Sequence, residues 1–238
     1  MRLYVMEMAR YLPVGSPVPA YLIQTDDGTN VLVDSGLPRE LVGAYRQPGF
    51  SGFAVDEENL VANRLAAIGV RPEDIAYVIC THLDPDHAGG HDQIPGAEFI
   101  VQRGHLDAAR SGQYDRFAWM RPHWDVPGMR YRTVEGDTTF LPGIELIETS
   151  GHAPGHQSVL VRLPRTGPVL LAIDALPQQL GDVAPEERVA GPFDADEGQM
   201  RASSRKLVDL AAREGALIIH GHDAGQWATL RLAPAYYD

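Results

Sequence analysis

With 238 residues and 44% apolar content, the chain is long enough to bury a full core; length alone allows one or two domains, and one domain spanning 1–238 is expected. The 32 acidic and 20 basic residues leave a formal charge of -12, which argues against a surface for nucleic acid or an anionic membrane. A single cysteine, Cys80, excludes an internal disulfide. Glu7 and Arg10 stand where a secretion signal needs an apolar core, and no stretch reaches the length of a membrane span, so a cytoplasmic protein is expected.

The chain opens like sheet. Leu3–Met8, Ala20–Gln24 and Val31–Asp34 read as strands, with Asp26–Asn30 as a hairpin connection, so the simplest arrangement is an antiparallel meander. The interrupted stretch from Arg39 to Asp56 carries Tyr45, Phe50 and Phe53, which could line a cleft, although core or edge packing is the simpler reading. Val61, Leu65 and Ile68 share one side of a helix expected over 57–68, with Gly69 as its stop. A strand over Ala76–Cys80 follows. The strand, helix, strand order implies parallel pairing beside the meander.

Thr81-His82-Leu83-Asp84-Pro85-Asp86-His87-Ala88-Gly89-Gly90 packs two imidazoles and two carboxylates into six residues and ends in a glycine pair read as flexible. This is metal-ligand composition on a loop leaving a strand. Pro85 rules out a regular helix through the cluster, so His82 and His87 are not the i, i+4 pair of a helical metalloprotease motif.

Further along, Glu98–Val101 reads as a strand and Gly104–Arg110 as a helix. Residues 111–131 hold Tyr114, Phe117, Trp119, Trp124 and Tyr131 without clear periodicity, and a cap inserted over a pocket is the favoured reading. Ile144–Thr149 alternates and delivers Gly151-His152-Ala153-Pro154-Gly155-His156. Strands over Ser158–Leu163 and Pro168–Ile173 follow, the second ending at Asp174. After a loop over 182–196 and a helix over 197–213, Ala216–Ile219 runs into His220-Gly221-His222-Asp223. Four strands therefore end in His or Asp, a pattern that convergence on one centre explains, and the element order fits two sheets flanked by helices.

Taken together, Val31–Gly36, Thr81–Gly90, Gly151–Ser158, Asp174 and Gly221–Asp223 resemble the metallo-β-lactamase superfamily, and within it the N-acyl homoserine lactonase-like hydrolases. The resemblance implies an αββα sandwich of two mixed sheets flanked by helices, with a dinuclear centre at one edge of the sheets. It implies that one metal is held by His82, Asp84 and His152, the other by Asp86, His87 and His222, and that Asp174 bridges them. Catalytic roles would fall to Asp86 and Asp174. The implied reaction is hydrolysis of a lactone or related ester by a metal-bridging hydroxide, with a small-molecule substrate as partner and a homodimer as a reasonable assembly.

Two positions depart from the family pattern. Asp84 stands where histidine is usual: two divalent cations, three carboxylates and a hydroxide balance to zero, whereas histidine would leave one positive charge. Zinc is the expected metal, and the harder ligand set brings in iron or manganese. Pro177 stands where the lactonases place a tyrosine that orients the lactone, so another hydroxyl does that work or the substrate differs.

The alternatives are a diiron oxidoreductase reducing dioxygen or nitric oxide with a separate flavoprotein, another hydrolase of the fold such as a thioesterase, and an idle metal-binding module. Cys80, inside a strand, reads as a buried structural thiol. His91, His105 and His123 read as surface or structural. His156 and His220 are candidates to support a ligand by donating to it or to a carboxylate, and Asp34 either orients a ligand histidine or caps its own loop.

Overall fold

Strand β1 (Arg2–Tyr11) sends Leu3 and Val5 to one face and Tyr4, Met6 and Met8 to the other, and both sets are buried in the computed structural model, which describes residues 1–238. A strand covered on both faces belongs to an inner layer. It pairs antiparallel with β2 (Ser16–Gln24), which pairs antiparallel with β3 (Asn30–Val33), the expected meander. The short β4 (Phe53–Ala54) flanks β1, and β5 (Ile75–Ile79), β6 (Glu98–Gln102) and β7 (Arg130–Val134) extend the sheet in parallel beyond β3, giving the order β4-β1-β2-β3-β5-β6-β7. A second sheet holds β8 (Thr138–Leu141), β9 (Ile144–Glu148), β10 (Gln157–Leu163), β11 (Gly167–Ile173) and β12 (Leu217–His220) in the order β12-β11-β10-β9-β8, with only β11 and β12 parallel.

Leu3, Val5 and Val31 from the first sheet pack with Val159, Leu171 and Ile219 from the second, so the sheets meet face to face. The helices are α1 (Val61–Ala66), α2 (Pro85–Ala88), α3 (Arg103–Arg110), α4 (Asp115–Trp124), α5 (Glu197–Glu214) and α6 (Ala224–Trp227). Leu65, Leu106, Phe117 and Trp124 from α1, α3 and α4 cover the outer face of the first sheet, while Leu207, Leu210 and Ala211 of α5 cover the second. Fully buried Phe99 and Phe117 contribute about 1.5–3 kcal/mol each by leaving water. The result is an αββα sandwich of two mixed sheets flanked by helices, as the strand pattern leads one to expect. No helix is long and apolar enough to cross a membrane.

Three local features differ from the sequence reading. The helix expected over 57–68 is split: Asn59 turns back to accept the Asp56 N–H, Leu60 is extended and buried, and α1 starts only at Val61. Pro85 does not keep the metal loop irregular. It occupies the first position of α2, where its missing N–H has no partner to lose, and so Asp86 and His87 ride on one helical turn. Residues 111–131, where a cap was expected, hold α4, whose Phe117, Met120 and Trp124 are buried in the outer core while Trp119 is exposed.

Candidate metal centre

The segments leaving β5, β9, β11 and β12 bring their side chains to one place. Donor atoms of His82, His152 and Asp174 form one group and those of Asp86, His87 and His222 another, each within 4.8 Å. Asp174 joins the two: its Oδ2 is 3.3 Å from His152 Nε2, and its Oδ1 is 3.4 Å from His87 Nε2 and 3.0 Å from His222 Nε2. Asp84 sits against the first group, Oδ2 lying 3.3 Å from His82 Nε2 and 3.2 Å from His152 Nε2. Asp86 lies within the second, 3.7 Å from His87 Nε2. All seven residues named from the sequence are thus brought together.

Each imidazole is held from behind through Nδ1. His87 donates to Asp34 Oδ2 at 2.8 Å, His152 to Asp194 Oδ1 at 3.1 Å, and His222 to the Pro17 carbonyl at 2.7 Å. Thr81 gives its hydroxyl proton to Asp34, leaving its oxygen to accept from His82 Nδ1 at 3.1 Å. With Nδ1 carrying the proton in all four rings, the neutral form turns its Nε2 lone pair toward the centre.

Backbone constraint places the carboxylates. Ile173, immediately before Asp174, has φ 52° beside a register shift in the β11–β12 pairing, a conformation that costs a β-branched residue about 1–3 kcal/mol. Gly221 makes room for it, since a Cβ there would sit 2.8 Å from the Ile173 carbonyl oxygen. The Gly89-Gly90 pair, read as flexible from sequence, also serves close approach. Cβ atoms there would lie 2.5 Å from Pro38 N and 2.7 Å from Ser35 O.

The other histidines are structural supports. His105 is fully buried; it donates Nδ1–H to Pro154 O and accepts the Leu83 N–H at Nε2, tying the two histidine loops together, and burial lowers its pKa to about 4. His91 bonds Ser35 Oγ at 2.6 Å, and His123 lies against Asp92. His156 and His220 do not donate to a ligand or carboxylate as anticipated. His156 bonds Thr149 Oγ1 and packs its ring 5.0 Å from that of His82, and His220 donates to the Leu176 carbonyl, bracing the turn after Asp174. The reason is position: His156 directly precedes β10, where its Nδ1 meets the Thr149 hydroxyl at 2.8 Å, and His220 is the last residue of β12, two residues before His222.

Charge in this cluster is unbalanced toward the negative. Burial would lower the pKa of His87, but Asp86, Asp174 and Asp34 outweigh it and push it up to about 10; burial also opposes protonation of His152, where Asp174, Asp194 and Asp84 prevail and raise it to about 9. Burial would raise the Asp174 carboxyl, yet His222, His87 and His152 hold it well below the carboxylate range. His82 is held well below its usual value by burial and by His87. Its Nε2 and that of His87 are buried without a hydrogen-bond partner, at about 1–3 kcal/mol each when nothing satisfies them. Inward lone pairs, ionised carboxylates and orphaned ring nitrogens together fit divalent cations, with zinc, iron and manganese all compatible with the donor set.

Residues 13–222 match the family described as the metallo-beta-lactamase superfamily. The chain belongs to that superfamily. It is 34% identical over 230 residues to an N-acyl homoserine lactonase from a Bacillus species, covering 92% of this chain and 86% of the relative. It is 36% identical over 239 residues to the N-acyl homoserine lactonase AttM of Azorhizobium caulinodans, covering 93% and 88%. A solved N-acyl homoserine lactone hydrolase, with the product N-hexanoyl-L-homoserine at its catalytic metal center, superimposes with a TM-score of 0.85 at 30% identity over 99% of this chain and 98% of that one.

On this superfamily sandwich the centre forms the floor of a cavity of about 730 Å³, within the range of small-molecule sites. Asp84, Asp86, His152, Asp174 and His222 face it, and Tyr11, Phe53, Leu180, Val183, Val189 and Phe193 give it an apolar wall. Of the loop aromatics, Phe53 reaches the cavity, while Tyr45 donates to Asp56 away from it. Pro177 also lines the cavity, and the hydroxyls there belong to Tyr11 and Ser16.

Among the polar residues of the site not singled out from sequence, two touch proposed ligands directly. Asp194, behind His152, lies in a loop with no periodicity to mark it. Arg116, whose Nε is 2.8 Å from Asp84 Oδ1, sits among aromatics and other arginines. The one available signal for Arg116 was the unusual Asp84, which calls for a positive partner.

Proposed function

We propose that this chain is a metal-dependent hydrolase that opens the ring of an N-acyl homoserine lactone, the reaction named for its relatives. One observation carries the reading: Asp174 offers one carboxylate oxygen to each of two ligand groups at the base of an apolar-walled cavity. In our assignment His82, Asp84 and His152 hold one cation, Asp86, His87 and His222 the other, and Asp174 both. The two are assigned as zinc, with iron and manganese separated from it by elemental analysis.

Two such cations would lower the pKa of a shared water toward neutrality and polarise the ester carbonyl. The residues of the chain do the rest. In this reading the lactone carbonyl sits near Asp174 and Asp86, which line the cavity, and the acyl chain lies along the apolar wall, which shields it from water. Water oxygen adds to the carbonyl carbon, the ring C–O bond breaks, and the ring oxygen takes up the proton that Asp86, at the cavity floor, carries from the water. The product is the open-chain N-acyl homoserine, whose new carboxyl group ionises to the carboxylate by releasing the second water proton to solvent. Val189 and Phe193 are 80% and 63% exposed at the rim, which suits a substrate with an apolar tail. The buried free Cys80 suits a reducing cytoplasm.

A panel of acyl homoserine lactones, simple lactones, aryl esters and thioesters tests the substrate class, with ring opening followed by proton release and elemental analysis of the same sample. Preference for aryl esters or thioesters over every lactone would replace the lactonase reading. Undiminished turnover after thorough chelation would end the metal-dependent one.

A further inference from the structure

We propose that Arg116 is a positioning residue of this centre, a fixed positive charge that offsets Asp84 and makes it a one-oxygen donor. The inference rests on the metal-centre reading above. Asp84 directs Oδ2 at His82 and His152, while Oδ1 turns away to Arg116 Nε at 2.8 Å. Neither Oδ1 nor Nε makes an aligned hydrogen bond, so the contact is an ion pair. Arg116 does not swing freely. It projects from the first turn of α4, donates Nη2–H to the His152 carbonyl at 3.1 Å and Nη1–H to the Phe193 carbonyl, and lies 5.0 Å over the Phe117 ring. Its side chain is only 22% exposed, so water screens the pair weakly.

The charge arithmetic explains why such a residue is needed. Asp84 in place of histidine lowers the formal charge of a loaded centre by one, and the Arg116 guanidinium returns it. Asp84 and Arg116 thus form a unit that matches what a neutral histidine would give alone. A histidine at 84 with Arg116 still present would leave one positive charge too many.

The test uses the full chain loaded with Co2+, reading affinity by chelator competition and geometry by the visible absorption spectrum. Four proteins are compared: native, Arg116→Gln, Asp84→His and the double variant. Asp84→His is expected to weaken Co2+ binding tenfold or more, and adding Arg116→Gln to restore most of that loss. Arg116→Gln is expected to alter the Co2+ spectrum when Asp84 is present and to leave it unchanged when residue 84 is histidine. If Arg116 only ties the His152 and Phe193 loops together, its removal weakens binding equally in both backgrounds, and that result overturns the proposal. Arg116→Met, which keeps the stem over Phe117, repeats the comparison should Arg116→Gln fail to fold. A native protein that binds no Co2+ would defeat the metal-centre reading itself, an outcome distinct from equal effects in the two backgrounds.

Discussion

His87 Nδ1 lies 2.8 Å from Asp34 Oδ2 across 53 residues of chain, with both side chains fully buried. The carboxylate fixes the ring's orientation and tautomer, and it also accepts the Thr81 N–H and hydroxyl. Asp34→Asn should therefore lower cation affinity at the Asp86, His87 and His222 group by about 10–100-fold. Chelator competition on the variant measures this, and unchanged affinity and stoichiometry would show that Asp34 only caps its loop.

The elevated imidazole pKa values set a pH dependence for chelated protein. His87 and His152 are raised from 6.5 to about 10 and about 9, so their contribution to stability is complete below pH 6.5 and disappears as pH rises through 9 to 10. Thermal melts of chelated protein between pH 6 and 10 should show Tm falling across that window. Cations compete with the same protons, so the gap between loaded and chelated Tm should widen with pH. A constant gap would contradict the charge balance described for the centre.

With Pro177 in place of the family tyrosine, Tyr11 and Ser16 carry the hydroxyls on the cavity wall. Tyr11→Phe is expected to cost about 1 kcal/mol of lactone binding, near fivefold in KM, if its hydroxyl orients the substrate. Steady-state kinetics of Tyr11→Phe and Ser16→Ala decide between the two, and unaltered constants in both would place orientation elsewhere.

Gly221→Ala should disturb the centre while every proposed ligand residue stays in the chain. Its Cβ would press on the Ile173 carbonyl, displacing a backbone already held at φ 52° next to Asp174, and would also lie 3.3 Å from Asp174 Oδ1. The expected cost is about 1–3 kcal/mol of stability together with reduced metal content. Denaturant melts and elemental analysis measure both, and full metal content at native stability would show that this turn has slack.

The chain's own residue pattern determined the layers and the ligand types. The short apolar runs along β1–β3 and β9–β11, the helical period of α5 and the strand-then-histidine repeats are short-range signals, because each records how one element meets the core. The tertiary structure decided what stands behind the ligands. Asp34 with His87, Asp194 with His152 and Arg116 with Asp84 are pairs made across loops, and no periodicity links their members. The split at Leu60, the one-turn α2 after Pro85 and the edge strands β7 and β8 were missed for related reasons. A cap, a proline that starts rather than stops a turn, and a half-exposed edge depend on neighbours that only packing supplies. Donor identity is written locally, but the direction in which each donor points is set by contacts that exist only once both sheets have stacked.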